Sequence, residues 1–136
     1  QTLTPMKDSF NTIKEFLLDL GHFISKEDEN EGLFVIDDEG LGIKNLVIGL
    51  ADPILIMEQY ILEIKDAPKD VYRQLLIKNR DIIHGAFVLN ETGEKLIFRD
   101  TLQMENIDKN ELEGSINSLT LLLSEYSEQL IGFSKK

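Results

Sequence analysis

The chain contains no cysteine. That absence excludes disulfides, thiolate zinc sites and cysteine nucleophiles, and it makes a reducing, cytoplasmic setting the expectation. Histidine is nearly as scarce, with His22 and His84 the only two in 136 residues. Positive charge is in deficit, since 14 Lys and Arg stand against 25 Asp and Glu and leave a net charge of -11. Such a chain repels phosphate backbones and anionic headgroups, so neither nucleic acid nor a membrane is the expected partner. The stretch NLVIGLADPILIM, Asn45 to Met57, is the one place where a membrane segment suggests itself. It is broken by Asp52 and Pro53 and falls short of the ~20 apolar residues that a spanning helix needs. The N-terminal residues also lack the basic and then apolar pattern of a secretory signal.

What is present is enough for one domain spanning residues 1–136, because 42% hydrophobic residues suffice for an ordinary core. In the Asn45 to Met57 stretch, Gly49 and Pro53 disfavour a helix, and the abundance of Val and Ile suits pleated strands. Two strands are expected, near Ile43 to Ala51 and Leu55 to Leu62, reversing through a type I turn that begins at Asp52-Pro53. Alternation puts Leu46, Ile48, Leu50, Leu55, Met57 and Ile61 on one face. Val47, Gly49, Ala51, Ile54, Ile56, Glu58 and Tyr60 fall on the other. The first set is bulkier and more aliphatic, and is assigned to the core beneath the first and last helices. The second, with Val47, Ala51, Ile54, Ile56 and Tyr60 as its contact residues, is assigned to a partner. A sheet apolar on both faces needs cover on both, from a second subunit, from a client segment, or from the chain's own three helices split across it.

Around these strands, Thr4, Pro5 and Gly21 frame a first helix from about Pro5 to Leu20, with Phe10, Ile13, Phe16, Leu17 and Leu20 as its stripe. Lys26 to Gly32 reads as an acidic loop. Next, LFVIDDEGLGI reads as strand, turn and strand, with Gly40 as the left-handed residue. Pro68 opens a short helix that turns Val71, Leu75 and Leu76 to one side with Tyr72 flanking them. Asn90 to Gly93 joins a strand near Ile83 to Leu89 to one near Lys95 to Leu102. The last helix carries Asp108 and Glu111 as a capping box and Ile107 and Leu112 as a hydrophobic staple. Its stripe is Leu112, Ile116, Leu119, Leu123, Tyr126 and Leu130. The expected fold is α+β, in the order α-βββ-α-ββ-α, an antiparallel sheet packed with helices.

No constellation for catalysis emerges. His22 follows Gly21 at a helix end, where a cation complements the dipole. The hairpin register is expected to set His84 opposite Asp100, a pair with no nucleophile beside it. The acidic residues Glu27, Asp28, Glu29 and Glu31, and Asp37, Asp38 and Glu39, lack the spacing of a calcium loop, and Gly40, Gly42 and Gly49 form no phosphate loop. No enzyme activity, metal or cofactor is expected.

The element order, with RQLLIKNRDIIHGAFVLNETGEKLIFRDTL and then IDKNELEGSINSLTLLL, resembles the YbjN-like proteins and the type III secretion chaperone-like family. The likeness is carried by Leu75-Leu76 with Asn79, Gly85 and Phe87, the Asn90 to Gly93 turn, and Leu112 in the capped last helix. The resemblance implies a non-enzymatic homodimer that binds an extended, poorly folded stretch of a client protein. Within such a dimer the short helix, Pro68 to Asn79, and the second hairpin are placed at the interface, through Val71, Tyr72, Leu75, Phe87 and Ile97. A different reading of the same acidity is an inhibitor or immunity-type protein that masks a basic partner.

Overall fold

Alternating apolar residues in the central strands decide which side of the sheet is buried, and the helices follow from that choice. The computed structural model describes residues 3–134, with side chains described from residue 7 to residue 133. In chain order the elements are α1 (Leu3–Asp19), β1 (Phe23–Asp28), β2 (Leu33–Asp38), β3 (Ile43–Ala51), β4 (Ile54–Glu63), α2 (Lys69–Lys78), β5 (Ala86–Leu89), β6 (Lys95–Gln103) and α3 (Lys109–Ser134). The strands form one antiparallel six-stranded sheet in the order β1-β2-β3-β4-β6-β5. The fold is therefore α+β with an antiparallel sheet, as expected. It holds one strand more than the expected order, because Phe23–Asp28 pairs with β2 and takes in Lys26 to Asp28, the start of the expected acidic loop.

Helix α1 ends at Gly21, whose φ is +83°. Gly21 N donates to Leu18 O at 3.0 Å and His22 N to Leu17 O at 3.1 Å, the pair of bonds that closes a helix through a left-handed glycine. The expected Thr4 cap concerns a side chain outside those described. At the far end of the chain, Asp108 N donates to Glu111 Oε1 at 3.0 Å and Glu111 N to Asp108 Oδ1 at 2.8 Å, so the capping box forms in both directions. Replacing Asp108 by Ala leaves an orphan amide at the start of α3 and is expected to lower stability by about 1 kcal/mol in denaturant melts.

Three connections differ from expectation. Ala51 pairs directly with Ile54, so β3 and β4 are joined by only Asp52 and Pro53, through a cis peptide bond rather than a type I turn. Between β2 and β3 a short 3-10 turn, Glu39–Leu41, carries the chain two residues further, and the left-handed glycine is Gly42, with φ +78°, rather than Gly40. The third is β5, which begins at Ala86 rather than near Ile83, because a second 3-10 turn, Asn79–Asp81, and the left-handed Gly85 occupy the approach. The Asn90 to Gly93 hairpin forms as anticipated, with the Asn90 side-chain oxygen accepting from the amides of Glu94 and Lys95.

One sheet face is the core. Phe34, Ile48 and Met57 lie side by side across β2, β3 and β4 with no exposed surface, and Leu46, Leu55, Leu96 and Phe98 extend the layer. Phe10 of α1 stacks on Phe34 with ring centroids 4.3 Å apart. From α3, the Ser115 hydroxyl donates to Asp100 of β6. Gln59 is the buried polar exception on this face of β4. Its Nε2 donates to Gly42 O at 3.2 Å and its Oε1 accepts from Lys44 N at 3.1 Å, so the side chain pins the start of β3 while leaving no polar atom unpaired.

Candidate functional site: the uncovered sheet face

All three helices pack on the core face. Alongside the contacts of α1 and α3, Leu75 of α2 shares a groove with Phe87 and Leu96, and the Gln129 side chain of α3 donates to Gln74 of α2 at 3.1 Å. The helices are thus not split across the sheet, and no described helix packs on the opposite face.

That opposite face can be followed residue by residue through the pairing. Leu33, Gly49, Ile56 and Thr101 form one row, and Val35, Val47, Glu58, Arg99 and Ala86 form the next. Tyr60, Ile97 and Val88 follow beyond them. Val47 is 39% exposed and Tyr60 51%, whereas their neighbours Leu46, Ile48 and Gln59 are buried. The face is therefore largely aliphatic and open to solvent, with one ion pair, Arg99 to Glu58, at its centre. Lys95 lies over the Tyr60 ring, 5.6 Å from its centroid. A Cβ added at Gly49 would meet nothing within 4 Å, so a visiting chain can approach the backbone there.

The partner-contact residues expected from sequence, Val47, Ala51, Ile54, Ile56 and Tyr60, all lie on this one face. Pairing adds Val35, Val88 and Ile97, which the alternation of β3 and β4 alone could not supply. Of the residues expected at a dimer interface, Val71, Leu75 and Phe87 are buried within the subunit. Tyr72 is half-buried, its hydroxyl donating to Ile64 O at 3.2 Å, and Ile97 belongs to the open face beside Tyr60. Leu76, expected on the inner side of α2, instead points outward with 69% of its surface exposed.

The histidines also sit differently from expectation. His84 lies before β5, its backbone oxygen accepting from the Ser118 hydroxyl of α3 at 2.7 Å. Asp100 is opposite Met57 and bonds Ser115 instead. Burial pushes the His22 pKa below its ordinary value of 6.5 against the opposing pull of Asp38 and Glu113, and its Nδ1 is buried without a hydrogen-bond partner. It is biased toward the neutral form rather than the cation expected at a helix end. A depressed folded-state pKa means that the neutral ring's contribution to stability is present above 6.5 and is lost as pH falls below it. Thermal melts of the wild type are expected to weaken between pH 6.5 and pH 5 more than those of His22→Gln; parallel curves would show that His22 carries no such linkage.

Among the described residues, no group of three or more His, Cys, Asp or Glu is placed to hold a metal ion, and no helix is long and apolar enough to cross a membrane.

The fold is that of the type III secretion chaperones, and the CesT_Tir_1 family model matches residues 6–136. The chain belongs to that family. Its structure is similar to the crystal structure of YbjN from E. coli, with a TM-score of 0.66 and 16% identity over 88% of this chain and 92% of that one. It is also similar to the HopA1-SchA chaperone-effector complex, with a TM-score of 0.65 and 12% identity over 87% of this chain and 91% of that one. The ExsC-ExsE complex gives a TM-score of 0.64 and 18% identity, over 88% and 90% of the two chains. No curated protein matches the sequence.

Proposed function

We propose that this protein is a non-enzymatic, chaperone-like or regulatory binding module that acts in the cytoplasm and holds an extended, poorly folded segment of a client protein. The observation that carries this reading is the aliphatic sheet face left open because all three helices pack on the other side. Val47, Ala51, Ile54, Ile56 and Tyr60 make the client contacts, joined by Val35 and Ile97. An apolar sheet surface with an open glycine beside its central ion pair suits an extended chain, which presents alternate side chains to the sheet. Family membership supports the same reading. The test is a pull-down from the source cell with the wild type and with Ile56→Lys as bait. A disordered segment held by the wild type and released by the variant is the expected result. A folded basic protein held with strong salt dependence would instead favour the inhibitor reading.

The module works as a homodimer in this proposal, joined through α2 and β5. Leu76 at 69% and Leu89 at 42% exposure flank an apolar groove on the outside of this region, beside the edge strand β5, where the Asn79 side chain accepts from Phe87 N at 2.8 Å and donates to Phe87 O at 3.2 Å. Exposed leucines flanking an apolar groove suit a second copy, which would present the same patch across a two-fold axis. Leu76→Glu is expected to convert a dimer into a 15.5 kDa monomer in light scattering without loss of helical signal. A wild type that is already a 15.5 kDa species at micromolar concentration would remove the dimer from the account.

A further inference from the structure

The helical side of the molecule carries a second apolar hollow, across the protein from the open sheet face. It lies between the loop before β5 and the outer face of α3, with a cavity of about 200 Å³. Ile83 stands at its rim with 83% of its surface exposed, and Leu121 of α3 is 57% exposed. The loop is fastened to the helix rather than loosely draped. The Ser118 hydroxyl donates to His84 O at 2.7 Å, and the His84 ring fits against Gly114, where an added Cβ would come within 3.3 Å of its Nε2. The groove is therefore a fixed feature of the loop–helix contact, with two large aliphatic side chains left on its rim.

Its charge points to the occupant. Asp81 and Glu125 line the hollow, no Lys or Arg does, and Glu128 stands exposed one turn further along α3. The nearby Lys78 is held on the Tyr126 ring, 4.4 Å from its centroid. We infer that this groove docks a short segment of a partner protein in which an apolar anchor residue is flanked by Lys or Arg, the anchor entering between Ile83 and Leu121 and the cations meeting Asp81 and Glu125. A volume of about 200 Å³ is below the ~300–1,000 Å³ of ordinary small-molecule pockets and suits one or two side chains. Acidic neighbours on a rim govern association rate and partner choice more than they add affinity, so selectivity for basic flanks is the expected signature. The site lies outside the client surface proposed above and does not depend on it.

Selection of random dodecapeptides on the wild-type protein, with counter-selection on Leu121→Glu, tests this directly. Because Leu121 is exposed, the variant should melt like the wild type. The expected outcome is enrichment of peptides with an apolar residue flanked by Lys or Arg. Their binding should fall at least ten-fold in Leu121→Glu, weaken in Glu125→Gln, and perturb the amide signals of His84 and Ser118. Failure to enrich any peptide, enrichment of acidic peptides, equal binding to Leu121→Glu, or signals that move at Ile56 and Tyr60 instead would each overturn the inference.

Discussion

Ile48→Lys should unfold the protein, while Ile56→Lys should leave it folded and unable to hold its client. The two positions are on neighbouring strands but on opposite faces of the same sheet. Ile48 has no exposed surface and lies between Phe34 and Met57 beneath the helices. A lysine there is an unpaired charge in a dry interior, at a cost of about 3–5 kcal/mol, comparable with the ~5–15 kcal/mol that stabilises a whole domain. Ile56 sits between Gly49 and Thr101 on the open face. The lysine stem can lie across the space beside Gly49 and carry its ammonium to water, so the change in stability should stay within about 1 kcal/mol. Circular dichroism melts of the two variants, followed by pull-down, separate the effects. If Ile56→Lys melts like a core variant and Ile48→Lys stays folded, the faces are reversed and the client surface falls with them.

Gly85→Ala is the second change expected to have a large effect, although it adds only a methyl group. At Gly85 the backbone has φ +84°, and an added Cβ would come within 2.5 Å of Phe98 Cζ and 2.9 Å of Arg99 O. Phe98 is fully buried and Arg99 O is backbone, so neither can move aside cheaply. The left-handed conformation costs about 1–2 kcal/mol for a residue with a side chain, and overpacking adds about 1–3 kcal/mol. Together they predict a loss of about 2–5 kcal/mol. Gly93 is the control, with φ +76° and nothing within 4 Å of an added Cβ. Gly93→Ala should therefore lose only the ~1–2 kcal/mol conformational part. Equal losses at the two positions in denaturant melts would show that the contact with Phe98 contributes nothing.

The sequence was most legible where a local rule acts alone. The Asp108 and Glu111 box and the Asn90 hairpin depend on residues within a few positions of one another, and both form. The sheet faces were legible because a strand has a period of two, and the runs from Leu46 and from Leu55 leave only one consistent bulky face. Strand β1 was not, since FISKED is mostly polar. As an edge strand it owes its place to pairing with β2 rather than to burial, and charged residues on such an edge discourage further pairing. Gly42 was missed for Gly40 because the intervening 3-10 turn leaves no apolar signature. The outward Leu76 shows the limit of a helical stripe, as the geometry of α2 buries Val71 and Leu75 and turns the next residue away. That all three helices share one face could not be read from stripes either. Each stripe says that a helix has an inner side, but not which side of the sheet receives it. Alternation alone named Val47, Ala51, Ile54, Ile56 and Tyr60, whereas the absence of a covering helix, and the addition of Val35, Val88 and Ile97, came from the assembled sheet.

The central claim is that this face is bare in the free protein and covered when a client is bound. Methyl signals of the isotopically labelled protein, recorded with a soluble paramagnetic agent before and after addition of the captured client, test it most directly. In the free protein the agent should broaden Val47, Ile54, Ile56 and Ile97 and spare Ile13, Ile36 and Ile48. Client binding should restore the first group and leave the second unchanged. Methyls of the open face that are already protected in the free protein, or that stay broadened when the client is bound, would contradict the account.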